Sequence, residues 1–121
     1  MPHYFEIDPE TGILKEAYVG KLDLDTLKKA NDSIITDPCF VEGLNFLTDL
    51  REAEICFGYD EMVSHAHSLP RLRIKKQAFI VKEDREYGMS RMFETLTEIS
   101  DLYEESEIFK TIEEGIAWLK S

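Results

Sequence analysis

This sequence is short of bases, cysteine and long apolar runs, and each shortage excludes something. Fourteen Lys and Arg face 25 Asp and Glu, a net charge of −11 at pH 7. With an isoelectric point near 4.6, the mean field repels nucleic acid and anionic membrane. Cys39 and Cys56 match no metal or redox spacing and read as reduced, packed thiols. No run approaches the ~18 apolar residues of a membrane span. The start, Met1-Pro2-His3-Tyr4, lacks the charged and apolar regions of a signal peptide, so a cytoplasmic protein is expected. Gly58 and Gly88 stand alone, so there is no glycine-rich phosphate loop. His65 and His67 would point to different sides of a helix, and His65 with Glu61 gives too few ligands for zinc. No nucleophile stands beside a base. The expectation is no catalytic residue, no metal and no cofactor.

What is present is a globular composition, 43% hydrophobic and 32% charged over 121 residues, the size of one domain spanning 1–121. Gly43-Leu44-Asn45-Phe46-Leu47-Thr48-Asp49-Leu50-Arg51 reads as a buried central strand, Leu44 to Leu50, closed by charge. His3–Ile7 and Ile13–Val19 read as a hairpin around Asp8-Pro9-Glu10-Thr11-Gly12. Phe5 and Ile7 alternate there with Tyr4 and Glu6, and Ala17 and Val19 with Glu16 and Tyr18. Asp23 caps a helix bearing Leu24, Leu27, Ala30 and Ile34, which Asp37-Pro38 stops. A second helix runs from about Gly58 to Leu69, and Gln77–Val81 is the next strand. Arg85–Ser100 is a third helix, with Met89, Met92, Phe93, Leu96 and Ile99 as its stripe. Glu107–Lys110 is a short strand, and Thr111-Ile112-Glu113-Glu114 a capping box for a last helix with Ile112, Ile116 and Leu119 inward. The fold class is therefore α/β, with the order β-β-α-β-α-β-α-β-α and a mixed, mostly parallel sheet. Its core should hold Phe46, Leu47, Phe79, Ile80, Met92, Phe93 and Leu96. Spacing leaves open whether helices cover one sheet face or both.

That order, Asp49-Leu50-Arg51 after the central strand, Tyr87-Gly88-Met89-Ser90-Arg91-Met92-Phe93 and the closing stretch Phe109–Leu119 resemble the SpoIIAA-like group. It belongs to the STAS superfamily (sulfate transporter and anti-sigma-factor antagonist domains). The resemblance covers nearly the whole chain. It implies a sheet with helices packed on it, related to lipid-binding Sec14-type domains, in a group mostly without assigned function. Anti-sigma-factor antagonists carry a phosphorylatable serine directly after the Asp ending the central strand. Here Leu50 and Arg51 follow Asp49, so the phosphoswitch does not carry over; fold and a habit of docking onto proteins do.

Asp49, Arg51, Tyr87 and Arg91 form the candidate ligand-binding group. Tyr87 and Arg91 share a helix face, and in a parallel sheet that helix start lies at the same edge as Asp49 and Arg51. Two guanidiniums beside helix N–H groups suit a carboxylate or phosphate. The other reading is an internal pair, with Asp49 or Glu94 neutralising an arginine while Tyr87 packs. Arg71-Leu72-Arg73-Ile74-Lys75-Lys76 either docks an acidic partner or guards a strand near the sheet edge. Glu98 to Glu114 holds seven carboxylates against Lys110 alone, a solvated face or a surface for a basic partner. Met62, Met89 and Met92 either line a gap for an apolar ligand or fill core. The functional reading is a non-catalytic regulatory or protein-interaction domain, with a protein partner or self-association. The alternative is a carrier or sensor of a small anionic or lipid-like ligand. An enzyme is the weakest reading.

Overall fold

The computed structural model describes residues 3–58, 60–61, 73–82 and 103–121. Within them lie five strands: β1 (His3–Asp8), β2 (Ile13–Leu22), β3 (Asn45–Ile55), β4 (Ile74–Ile80) and β5 (Tyr103–Phe109). Two helices accompany them, α1 (Leu24–Ile35) and α2 (Ile112–Leu119). The strands form one sheet in chain order, with β1 antiparallel to β2 and every later pair parallel. The mixed, mostly parallel sheet read from the sequence is therefore the fold. The helices expected around Gly58–Leu69 and Arg85–Ser100, with Met62, Met89, Met92, Phe93 and Leu96, fall largely or wholly outside the described residues.

Local chemistry accounts for the joints. Glu10 N–H donates to Asp8 Oδ1 at 3.0 Å, and the chain closes through Gly12 at φ 70°, which a side chain would strain. Asp23 Oδ1 accepts from Thr26 N–H at 2.8 Å and caps α1. Thr111 caps α2 by accepting from Glu114 N–H at 3.2 Å, while its hydroxyl donates to the Glu114 carboxylate at 2.9 Å.

The helices take opposite faces. On face A, α1 sets Leu27, Ala30 and Ile34 against Leu14, Phe46, Leu50 and Phe79. On face B, α2 sets Leu119, with Ile112, Ile116 and Trp118, against Ile13, Leu47, Ala78 and Ile80. Gly115 brings the α2 backbone down onto the sheet. A Cβ there would stand 2.8 Å from both Ile80 Cδ1 and Leu47 Cδ1.

Three expectations need correction. The central strand does not end at Leu50 but runs to Ile55, because β2 continues beside it to Leu22 after β4 has stopped pairing at Asp49. The last strand is not Glu107–Lys110 but Tyr103–Phe109, paired along β4, and on β2, where alternation left the face open, Leu14, Glu16, Tyr18 and Leu22 are buried while Val19 faces solvent. Cys39 and Cys56 are free but lie at the surface, not packed inside.

Candidate functional site

Two arrangements of side chains stand out, one on each face. On face A, a line of polar groups crosses from β1 to β4 beneath the apolar core. Gln77 Nε2 donates to Thr48 Oγ1 at 2.8 Å, and Thr48 Oγ1 donates to Glu16 Oε2 at 2.7 Å. The other carboxylate oxygen, Glu16 Oε1, lies 2.8 Å from His3 Nε2. The direction is forced: Gln77 occupies a lone pair of Thr48, whose one proton goes to Glu16. His3 is held in turn by rings, 4.6 Å from Tyr18 and 5.7 Å from Phe5 between centroids.

The hub is dry. Side-chain exposure is 4% at Glu16 and 8% at His3. A buried carboxylate is costly unless donors surround it, and this one has them. Burial first, then the charge and hydrogen bond of Glu16, push the Tyr18 hydroxyl well above its ordinary ionisation range. The folded state thus favours neutral Tyr18. That stability is whole below pH ~10 and is lost as pH climbs from there towards the raised value. Chemically the line is a closed relay: Thr48 has no proton left for a base, and the carboxylate faces protein donors.

On face B lie Asp49 and Arg51. The register pairs Ala17 with Asp49 and Val19 with Glu52, so Tyr18 alone stands opposite both Leu50 and Arg51, a bulge in β3. Asp49 Oδ1 accepts the Arg51 backbone N–H at 3.0 Å, supplying a partner at the residue the bulge adds. The guanidinium folds back onto the same carboxylate, Nε to Oδ1 at 3.0 Å and Nη2 to Oδ2 at 2.9 Å. Hydrogen bonding to Asp49 raises the Arg51 pKa further, with the charges of Glu113 and Glu52 adding to it. Arg51 is therefore engaged by a carboxylate of its own strand. Tyr87 and Arg91, the other members of the expected anion group, lie outside the described residues.

Asp49→Ala should cost about 1–2 kcal/mol, because it strips the bulge N–H of its acceptor as well as breaking the pair. Asp49→Asn keeps an oxygen for that N–H and should cost below about 1 kcal/mol, the worth of a half-exposed ion pair. Urea denaturation of the two variants checks the order, and equal losses would remove the bulge from the explanation.

The basic stretch that runs into β4 is partly engaged too. Lys76 Nζ donates to the Ser121 carbonyl at 3.2 Å and lies 5.2 Å from the Trp118 ring centre. Arg73 Nε is 3.6 Å from Glu42. Arg71 and Leu72 lie outside the described residues. Among the described residues, no three His, Cys, Asp or Glu side chains gather to hold a metal, and no helix is long and apolar enough to cross a membrane.

Sequence reading missed the face A line entirely. In the sequence Glu16 reads only as one position of an alternating strand, and Thr48 and Gln77 only as members of strands. Phase groups Glu16 with Leu14, Tyr18 and Leu22, but Ile13, Ala17 and Val19 make the other side of β2 as apolar, so alternation did not decide between them.

This architecture is the SpoIIAA-like fold. It is similar to the crystal structure of an uncharacterized protein of the DUF3478 family from Shewanella loihica PV-4, itself described as having a SpoIIAA-like fold. The TM-score is 0.62 at 16% identity, over 97% of this chain and 93% of that one. No family model and no curated protein matches the chain significantly.

Proposed function

We propose that this chain is a non-catalytic, STAS-like regulatory or protein-interaction domain, a single unit over residues 1–121 working in the cytoplasm. One observation carries the reading. Among the described residues, helix α2 covers face B over β3, β4, β5 and the Ile13 end of β2, and leaves the rest of the β1–β2 flank open, with Tyr4 56% and Val19 45% exposed. The chemically capable groups support it from the other side: Glu16, His3 and Thr48 are closed upon one another, and Asp49 is closed upon Arg51. A carrier of small anions would rest on Arg51 together with Tyr87 and Arg91, and its first arginine already holds a carboxylate.

Regulation in this reading proceeds without phosphate on the central strand. The position after Asp49, where the resemblance would put a serine, is Leu50, buried in the face A core, and the neighbouring Thr48 hydroxyl is buried as well. Incubation with an anti-sigma kinase and ATP should leave Thr48 to Glu54 unmodified on peptide mass mapping; phosphate anywhere in that stretch contradicts the reading. The interaction role itself is tested by native mass spectrometry of the chain recovered at natural abundance from its own cells. A stoichiometric assembly with protein is expected. A chain recovered alone, or carrying only a small molecule, overturns the role.

A further inference from the structure

We propose that the open flank of face B seats a basic amphipathic helix of a partner protein; this names the partner chemistry for the interaction role above and rests on it. The floor of the seat is a short apolar row. Tyr4 lies opposite Ala17 across the β1–β2 pair, and Val19 follows Ala17 two residues on, on the same face. Tyr4 and Val19 are both exposed large side chains. The seat's width suits a helix. Among the described residues, two strands about 4.8 Å apart, with α2 standing on the neighbouring strands and on Ile13, leave room beyond it for one more cylinder of about 10 Å diameter.

Charge selects among occupants. Around the row stand five carboxylates, Glu6, Asp49, Glu52, Glu54 and Glu113, against three bases, Lys15, Lys21 and Arg51. The bases are locally matched: Lys15 is in register with Glu6, Lys21 with Glu54, and Arg51 is clamped by Asp49. The remaining rim, Glu52 opposite Val19 and Glu113 in the first turn of α2, is acidic. A second copy would bring the same acids and its own net charge of −11 to the contact, so charge repels self-association. A helix with Leu or Phe along one stripe and Lys or Arg beside it meets both the apolar floor and the acidic rim.

The test uses the full chain, labelled with nitrogen-15, and two synthetic helical peptides with the same leucine stripe. One peptide is flanked by lysines and the other by glutamates. The lysine peptide should shift the amides of Tyr4, Ala17, Val19, Glu52 and Glu113, weaken as salt rises, and bind at least about tenfold tighter than the glutamate peptide. The double variant Y4T/V19T keeps strand-favouring residues at both positions. It should melt at the temperature of the parent and weaken the lysine peptide about tenfold. Equal binding of the two peptides, shifts confined to other surfaces, or no binding by either each overturns this seat. Sedimentation showing a parent dimer that Y4T/V19T dissolves overturns it too, in favour of a second copy. A native assembly with protein, found alongside any of these results, leaves the interaction role standing; its absence removes the role itself.

Discussion

Glu16→Ala is expected to cost about 3–5 kcal/mol of folding stability, from leaving two buried hydrogen-bonding groups without their partner and opening a cavity. Alanine would leave the Thr48 hydroxyl without its acceptor and His3 Nε2 facing a cavity, in surroundings with 4% and 8% side-chain exposure at Glu16 and His3. Gln77 loses little directly, since its amide still meets Thr48 Oγ1. Glu16→Gln is the informative comparison. Its amide oxygen can take the Thr48 proton and its volume fills the site, so about 1–2 kcal/mol should be lost. Tyr18 provides an independent readout. Without the Glu16 charge and hydrogen bond its ionisation should move down towards the ordinary range, yet stay above it, because burial is the larger cause of its shift. Urea unfolding at fixed pH and an ultraviolet titration measure both effects. A loss under about 1 kcal/mol for Glu16→Ala would show that the carboxylate is not the hub.

Phe46→Ala should be comparably damaging, at about 3–5 kcal/mol. Phe46 is 1% exposed on face A of β3, in register with Leu14 on one side and Gln77 on the other, and packs in the cluster that α1 covers. The deletion removes ring contacts and leaves a cavity that two paired strands cannot collapse to fill. The denaturation midpoint should fall with little change in slope. Val41→Ser, at a side chain 59% exposed, serves as the control and should stay within about 0.5 kcal/mol of the parent.

Much of the frame was legible because it is local. The Asp23 cap, the Asp8–Gly12 reversal and the Thr111–Glu114 capping pair each depend on atoms a few residues apart, and each formed where the residue types placed it. Phe46, Leu47, Phe79 and Ile80 were expected in the core from apolar runs, and all four are buried. The same holds for Leu27, Ala30 and Ile34 on α1.

The candidate site was another matter. Asp49 and Arg51 were read as the end of a strand, open to a ligand; the structure makes them a clamp within the strand, at a bulge defined by the partner strand's register. That Val19 is outside and Glu16 inside depends on which side of β2 faces α1, and alternation alone permits either choice.

Periodicity, capping and turn chemistry thus carried the described strands and helices, the order in which they follow one another and the mixed parallel character of the sheet, since those follow from short-range sterics and the burial of one stripe or face. Strand neighbours, the bulge, the helices on opposite faces and the polar line from His3 to Gln77 were settled only in three dimensions. Each depends on residues far apart in the chain meeting at hydrogen-bond distance. The contacts of Glu16 with Thr48, 32 residues on, and of Thr48 with Gln77, 29 further, have no imprint in any local window.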